Sequence, residues 1–284
     1  MNIGAHVSIA GGIDKAPYRA FQLGCECFQI FTRPPQGGEP SRLDKATVDS
    51  FLKECSTYNF TSYHIHTPYF INTASADNQI SSTSISLITE EIKRGGVIGA
   101  KYIVTHLGST RGLGKSKGLA KAIEGLKRIL DSTSDSYARL LIENSAGQGE
   151  TIGSTFIELA EILYRVGDHN LGICLDTAHL LASGYDIRTR EALKKILREF
   201  SEIIGFDRLK LLHGNDSKAG LGERKDRHEH IGEGKIGTAG FKAIVNDALL
   251  QNLDLIIETP LEKVGDDIRN LRKLKFLRKN SRAK

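Results

Sequence analysis

Seven side chains able to bind a metal ion sit at the ends of short apolar runs: His6 in IGAHVS, His66 in SYHIHT, His106 in YIVTHLG, Glu143 in LLIENS, Asp176 in GICLDT, His213 in LKLLHGND and Glu258 in LDLIIETP. One histidine in such a place is ordinarily a hydrogen-bonded structural residue. Seven in equivalent places are harder to assign to structure, because imidazoles and carboxylates crowded together repel or stay unsatisfied. Cations remove that cost. Two local motifs enlarge the set. In DTAH, Asp176 and His179 are three residues apart where a strand turns into a helix. In DRH, Asp226 and His228 flank Arg227. Alternate residues of an extended segment point the same way, so these two can grip one ion.

The candidate ligands are His66, His106, Glu143, Asp176, His179, His213, Asp226, His228 and Glu258, with no cysteine among them. Imidazoles with carboxylates suit Zn²⁺, whereas all-oxygen cages suit Mg²⁺ or Ca²⁺. Nine ligands are too many for one tetrahedral ion and fit three ions with shared or open positions. Four carboxylates set against three Zn²⁺ and a bridging hydroxide leave roughly +1 at the centre, a trap for a phosphodiester. Without metal the same pocket would repel DNA.

Such side chains must be brought together by regular elements. Eight apolar, β-branched runs begin 24 to 44 residues apart, near residues 3, 27, 62, 102, 140, 172, 209 and 253. Helical patterns fall between them. In FIELAEILYRVG, for example, Phe156, Leu159, Ala160 and Leu163 share one face, and Thr155 with Glu158 reads as a capping box. Unbroken apolar runs alternating with helices point to parallel strands buried on both faces. The expected fold is α/β, a (β/α)₈ TIM barrel forming a single domain over residues 1–284. A doubly wound open sheet is the alternative. In a barrel every C-terminal strand end lies on one face, where active sites are built.

Hydrophobic residues make up 39% of the 284, ample for a core. No apolar run approaches the ~18 residues that span a bilayer. The N-terminus, MNIGAHVS, shows no basic-then-apolar leader, so a cytoplasmic location is expected. Cys25, Cys27, Cys55 and Cys174 form no CxxC pair and read as reduced structural thiols; metal binding by Cys25 and Cys27 is the minor alternative. The net charge of +5 is uneven: from Arg269 onward there are eight basic residues and no acidic one, and without that tail the balance is −3. A solvated helix end and an affinity for DNA explain the tail equally well.

The segments GAHVSIAGG, HTPYFIN, THLGS, IENSAGQG, GICLDTAH and HGNDSK…DRHEHIGEGKIG resemble the endonuclease IV family of apurinic/apyrimidinic endonucleases, in order, from about residue 2 to about residue 260. The resemblance implies a xylose-isomerase-like barrel with three zinc ions. By that likeness His66, His106 and Glu143 would hold one zinc. Glu143 would bridge to a second, completed by Asp176, His213 and Glu258, and His179, Asp226 and His228 would hold the third. A zinc-bridging hydroxide oriented by Glu143 would attack phosphorus, and the third zinc would neutralise the leaving 3′ oxygen. The implied reaction cuts double-stranded DNA 5′ to abasic sites, leaving a 3′-hydroxyl and a 5′-deoxyribose phosphate. No membrane or obligatory protein partner is implied.

The family bends the duplex, flips the abasic nucleotide and fills the gap with loop side chains. Tyr69 and Phe70 fall where the likeness places a Tyr and an inserting apolar residue, and a Phe can wedge between bases; packing under the loop is the plainer alternative. Two departures stand out. TRPPQGGEP puts Gln36 where the family often carries an inserting Arg, with Arg33 and Arg42 as candidates to compensate, and HGND replaces the more usual HLND. His6 is outside the family's ligand set and is expected to orient a ligand or a phosphate. Asn144, Gln148, Asn215 and Lys218 are candidates to contact phosphate or ligands, and the glycines of IGEGKIG are expected to let a loop turn beside the third zinc.

Two other classes stay open. A sugar isomerase or epimerase of the same superfamily needs a Glu-Asp-His-Glu set, matching Glu143, Asp176, His213 and Glu258, but has no use for the other five ligands. A non-catalytic zinc-dependent binder of damaged DNA would need the ligands without an open position for a nucleophile.

Overall fold

A computed structural model describes residues 1–40, 42–167 and 170–278. All eight expected runs form strands: β1 (Asn2–His6), β2 (Phe28–Ile30), β3 (Tyr63–His66), β4 (Tyr102–Thr105), β5 (Arg139–Glu143), β6 (Gly172–Asp176), β7 (Leu209–His213) and, after two short strands, β10 (Asp254–Ile257). They pair in parallel and close into a barrel in the order β1-β10-β7-β6-β5-β4-β3-β2, which excludes the open sheet. The short strands β8 (Asp216–Ser217) and β9 (His228–Glu229) form an antiparallel hairpin outside the barrel. Strand-end reading misses this hairpin, since two residues carry no periodicity.

The helices α1 (Ala16–Leu23), α2 (Lys45–Thr57), α3 (Asn78–Ile98), α4 (Lys115–Asp131), α5 (Phe156–Val166), α6 (Thr177–Ser183), α7 (Arg190–Ile203), α8 (Gly237–Val245) and α9 (Asp266–Arg278) fall between and after the strands. The large apolar core lies between them and the barrel wall, with Ile65, Ile103, Ile142, Ile173 and Leu212 facing outward toward Phe51, Ile92, Leu126, Leu159 and Phe241. A smaller cluster, Cys27, Tyr102, Val104, Leu141, Cys174, Leu211 and Ile256, fills the barrel interior. It forms a largely apolar floor beneath the strand ends. All four cysteines are unbridged, and burial pushes the Cys174 thiol up to about 12, as inert packing thiols require.

Local chemistry sets the element ends. Thr155 caps α5 by accepting from Glu158 N, but the box is not reciprocal. The Glu158 carboxylate reaches past the cap to Gly153 N and Ser154 N at 2.8 and 3.1 Å. Helix α9 carries the basic tail, and it runs away from the strand-end face. Its last residue, Arg278, donates to Met1 O and to both oxygens of Glu26, beside the starts of β1 and β2. Arg269 pairs with Glu233 at 2.6 Å. Arg278 thus ties the last helix to the start of the barrel, while Lys279, Arg282 and Lys284 lie outside the described residues.

Candidate metal centre

Parallel register and a closed barrel bring the strand-end side chains to one place. Glu143, almost fully buried, stands at its middle. Oε2 lies 3.0 Å from His66 Nε2 and 3.3 Å from His106 Nε2, while Oε1 lies 3.0 Å from His213 Nδ1 and 3.4 Å from His179 Nδ1. Burial disfavours its charge, but His106, His213 and His179 outweigh burial and hold the carboxyl well below its usual range. Five imidazoles form an arc around it. Ring centres are 5.8 Å apart for His213 and His66, 5.6 Å for His66 and His106, 5.6 Å for His106 and His179, and 5.5 Å for His179 and His228.

Donor atoms within 4.8 Å of one another define overlapping groups. One is His66, His106 and Glu143; a second is Glu143, Asp176, His213 and Glu258; a third is Asp176, His179 and His228; a fourth joins His66, His213 and Glu258. The first two reproduce the sets expected for two ions. The third has Asp176 where Asp226 was expected; Asp226 stands beside it, 3.3 Å from His179 Nε2 and 3.5 Å from His228 Nε2, while Asp176 approaches His228 at 3.8 Å. Asp226 is half exposed, at the solvent edge of the centre.

The donor set fits divalent cations. His179 Nε2 and His228 Nε2 are buried without a hydrogen-bond partner and face carboxylates. The other ring nitrogen of three imidazoles is committed to a backbone carbonyl: His66 Nδ1 to Thr67 O at 2.6 Å, His179 Nδ1 to Asn144 O at 2.9 Å, and His228 Nδ1 to Glu258 O at 3.1 Å. A carbonyl only accepts, so each Nδ1 holds a proton, and each Nε2 is the nitrogen left to bind a cation at the centre.

The surrounding polar residues hold the ligands. Asn215 donates to Asp176 Oδ2 at 2.6 Å and accepts from Glu258 N at 2.7 Å. Asn144 accepts from Asp176 N at 2.6 Å, and Gln148 accepts from Asp226 N at 2.9 Å. Lys218 instead stands by Glu229 and Glu262. His6 lies 3.4 Å from Glu258 Oε1, with its ring against Phe31. Gly214, of the unusual HGND, leaves room for Leu255, whose Cδ2 would lie 2.5 Å from an added Cβ.

The glycine loop after β9 cradles an anion, and that anion is internal. The buried Asp216 carboxylate accepts from the backbone N–H groups of Ser217, Gly232, Gly234, Ile236 and Gly237 at 2.8 to 3.2 Å. A Cβ on Gly234 would lie 2.5 Å from Asp216 Oδ1. The loop is thus full, and it secures the hairpin that bears His228.

Beside the ligands opens a cleft of about 290 Å³ lined by Tyr69, Ile71, His106, Gln148, His179 and Arg227, among others. Tyr69 is 68% and Phe70 43% exposed. The Tyr69 ring stands edge-on to Phe31. Gly37, next to the exposed Gln36, packs near the Phe70 ring. Arg33 does not compensate for the missing cation, because it is buried and paired with Glu91 at 2.6 Å and Glu90 at 2.8 Å. Arg42 is exposed, within 3.8 Å of Asp44. Two site residues escape a reading of the sequence. Arg227 looks like a mere spacer in DRH. Gln29 has one visible signal: an amide inside the apolar run CFQIFT, in register with His6.

Fold and site together define a barrel enzyme with a metal-competent mouth, and the pattern of the xylose isomerase-like TIM barrel family matches residues 17–279. The chain is 41% identical over 275 residues to "Probable endonuclease 4" of Carboxydothermus hydrogenoformans, covering 97% of this chain and 96% of that one. The crystal structure of endonuclease IV from Thermus thermophilus superposes with a TM-score of 0.87 at 32% identity, over 99% of this chain and 100% of the other. A D-tagatose 3-epimerase-like protein gives 0.76 at 19% identity, over 99% and 98%; that likeness concerns the fold alone. The chain belongs to the endonuclease IV family of DNA-cleaving phosphodiester hydrolases.

Proposed function

We propose that this single-domain barrel is a zinc-dependent repair endonuclease that hydrolyses the phosphodiester 5′ to abasic sites in double-stranded DNA, leaving a 3′-hydroxyl and a 5′-deoxyribose phosphate. The convergence of nine imidazole and carboxylate side chains, with Glu143 at their middle, carries the reading. His66, His106 and Glu143 would hold one zinc ion, Glu143, Asp176, His213 and Glu258 a second, and His179, Asp226 and His228 a third. Bound zinc supplies Lewis acidity, which lowers the pKa of water and neutralises phosphoryl charge.

The chain's own residues do the rest. Glu143, kept ionised, sits where it can orient a water against the phosphodiester. The cleft beside it offers Ile71 and Ile152 to a sugar and Gln148 and Arg227 to phosphate oxygens. Tyr69 and Phe70 at the rim would fill the gap left by the missing base, with Gln36 alongside. His6 would steady Glu258. Among the described residues no helix is long and apolar enough to cross a membrane, and four free cysteines fit the reducing cytoplasm.

An epimerase would use Glu143, Asp176, His213 and Glu258 alone. The β8–β9 hairpin, which brings His228 and Asp226 to a further group, argues for the nuclease. The test sets a duplex with one abasic site beside an intact duplex and a ketose, using zinc-loaded and chelated protein. Zinc-restored incision of the abasic strand is expected. Ketose turnover without incision would overturn the reading.

A further inference from the structure

We propose that Gln29 is a positioning residue of this centre: its side-chain amide sets which nitrogen of His213 faces the metal and holds Glu258 in place. The inference rests on the metal reading given above. His66, His179 and His228 each turn Nε2 inward, and a backbone carbonyl holds the proton on Nδ1. His213 is reversed. Its Nδ1 faces the centre, 3.0 Å from Glu143 Oε1 and 3.3 Å from Glu258 Oε2, so its proton has to reside on Nε2 for Nδ1 to offer a lone pair. The partner of Nε2 is a side chain where the other three imidazoles use the backbone: Gln29 Oε1 lies 3.0 Å away.

An amide can be turned either way, and here the surroundings decide. Gln29 Nε2 lies 2.7 Å from Glu258 Oε1, and a carboxylate oxygen at that distance demands a donor. The amide nitrogen must therefore point at Glu258 and the amide oxygen at His213. The second N–H reaches His6 Nδ1 at 3.1 Å. Both N–H groups and the carbonyl of this fully buried side chain are thus engaged. Glu258 fixes the amide, the amide fixes the His213 tautomer, and the tautomer presents Nδ1 to the ion. The amide does for His213 what a backbone carbonyl does for the other three.

The experiment uses the full chain with zinc as the probe. In wild-type protein, long-range ¹H–¹⁵N spectra should show His213 protonated on Nε2. Gln29→Met keeps the volume and apolar fit but neither donates nor accepts. One zinc ion should then bind about ten- to a hundredfold more weakly in chelator competition, with the other sites unchanged and His213 no longer held in one tautomer. In Gln29→Glu the new carboxylate still accepts from Nε2–H but repels Glu258. The tautomer should persist while that zinc weakens. Wild-type zinc affinity in Gln29→Met, or an Nδ1 proton on His213 in the zinc-loaded wild type, overturns the proposal. If Gln29→Met fails to fold, the wild-type spectrum decides alone. A wild-type protein that binds no zinc sinks the metal reading, while a His213 without a proton on Nε2 in that zinc-free protein separately refutes the role of Gln29.

Discussion

His228 Nδ1 donates to the main-chain oxygen of Glu258 at 3.1 Å, so the hairpin outside the barrel is fastened to the end of the last barrel strand. This bond sets the orientation of the His228 ring and keeps Nε2 turned toward Asp226 and Asp176.

The bond makes His228→Ala informative. The substitution should release one zinc of three and leave two bound, because Glu143 and the first two ligand sets are untouched. Cleavage of abasic duplex should slow by roughly a hundredfold, about 2.8 kcal/mol in barrier. Elemental analysis beside single-turnover rates checks both. Loss of all three ions together would show that the ligands are partitioned differently.

Glu143→Gln keeps shape and removes the charge at the centre of the arc. Turnover should fall by at least roughly a thousandfold, about 4 kcal/mol, with a much smaller loss in binding of abasic duplex. Metal content must be measured on the same sample. Near-wild-type turnover by a fully metallated variant would refute the role assigned to this carboxylate.

Phe70→Ala should weaken binding of abasic duplex about ten- to a hundredfold, or about 1.4–2.8 kcal/mol, because the exposed ring can stack where a base is missing. Intact duplex has no gap and should lose much less. Gln36→Ala should be nearly silent, since a neutral amide offers neither charge nor the guanidinium's flat face. Titrations of both duplexes at one salt concentration decide this. Equal losses on the two for Phe70→Ala would mean that the ring only packs the loop.

At the opposite end of the barrel, Asp254 accepts from His64, Ser62 and Asn2. Burial raises its pKa, but these partners prevail and bring it from 3.8 to about 2. A depressed carboxyl contributes stability above its unfolded pKa, and that contribution fades as pH falls from about 4 to about 2. In metal-free protein, Asp254→Asn should lower stability at pH 7 by on the order of 2 kcal/mol and flatten the acid limb of the pH–stability curve. Urea melts between pH 2 and pH 7 measure it. An unchanged limb would show that the carboxylate contributes nothing to acid sensitivity.

The barrel and most of the centre were legible in the sequence because both depend on short-range pattern. A strand buried on both faces needs an unbroken apolar run, and a metal ligand at its end interrupts that run with His, Asp or Glu, as in YHIH, LLIE and GICLD. Residues that act through contacts across the fold left no such mark. Arg33 looks like a spare cation on paper and becomes buried counter-charge to Glu91 only when α3 packs beside the segment that follows β2. The IGEGKIG glycines read only as a turn, and the fold alone shows their N–H groups closing on Asp216, sixteen residues before the first inner glycine. Gln29 meets His213 and Glu258 across 184 and 229 residues of chain. Hydrogen-bond direction is a property of neighbours in space, so only the closed barrel could decide which nitrogen of each imidazole faces the centre.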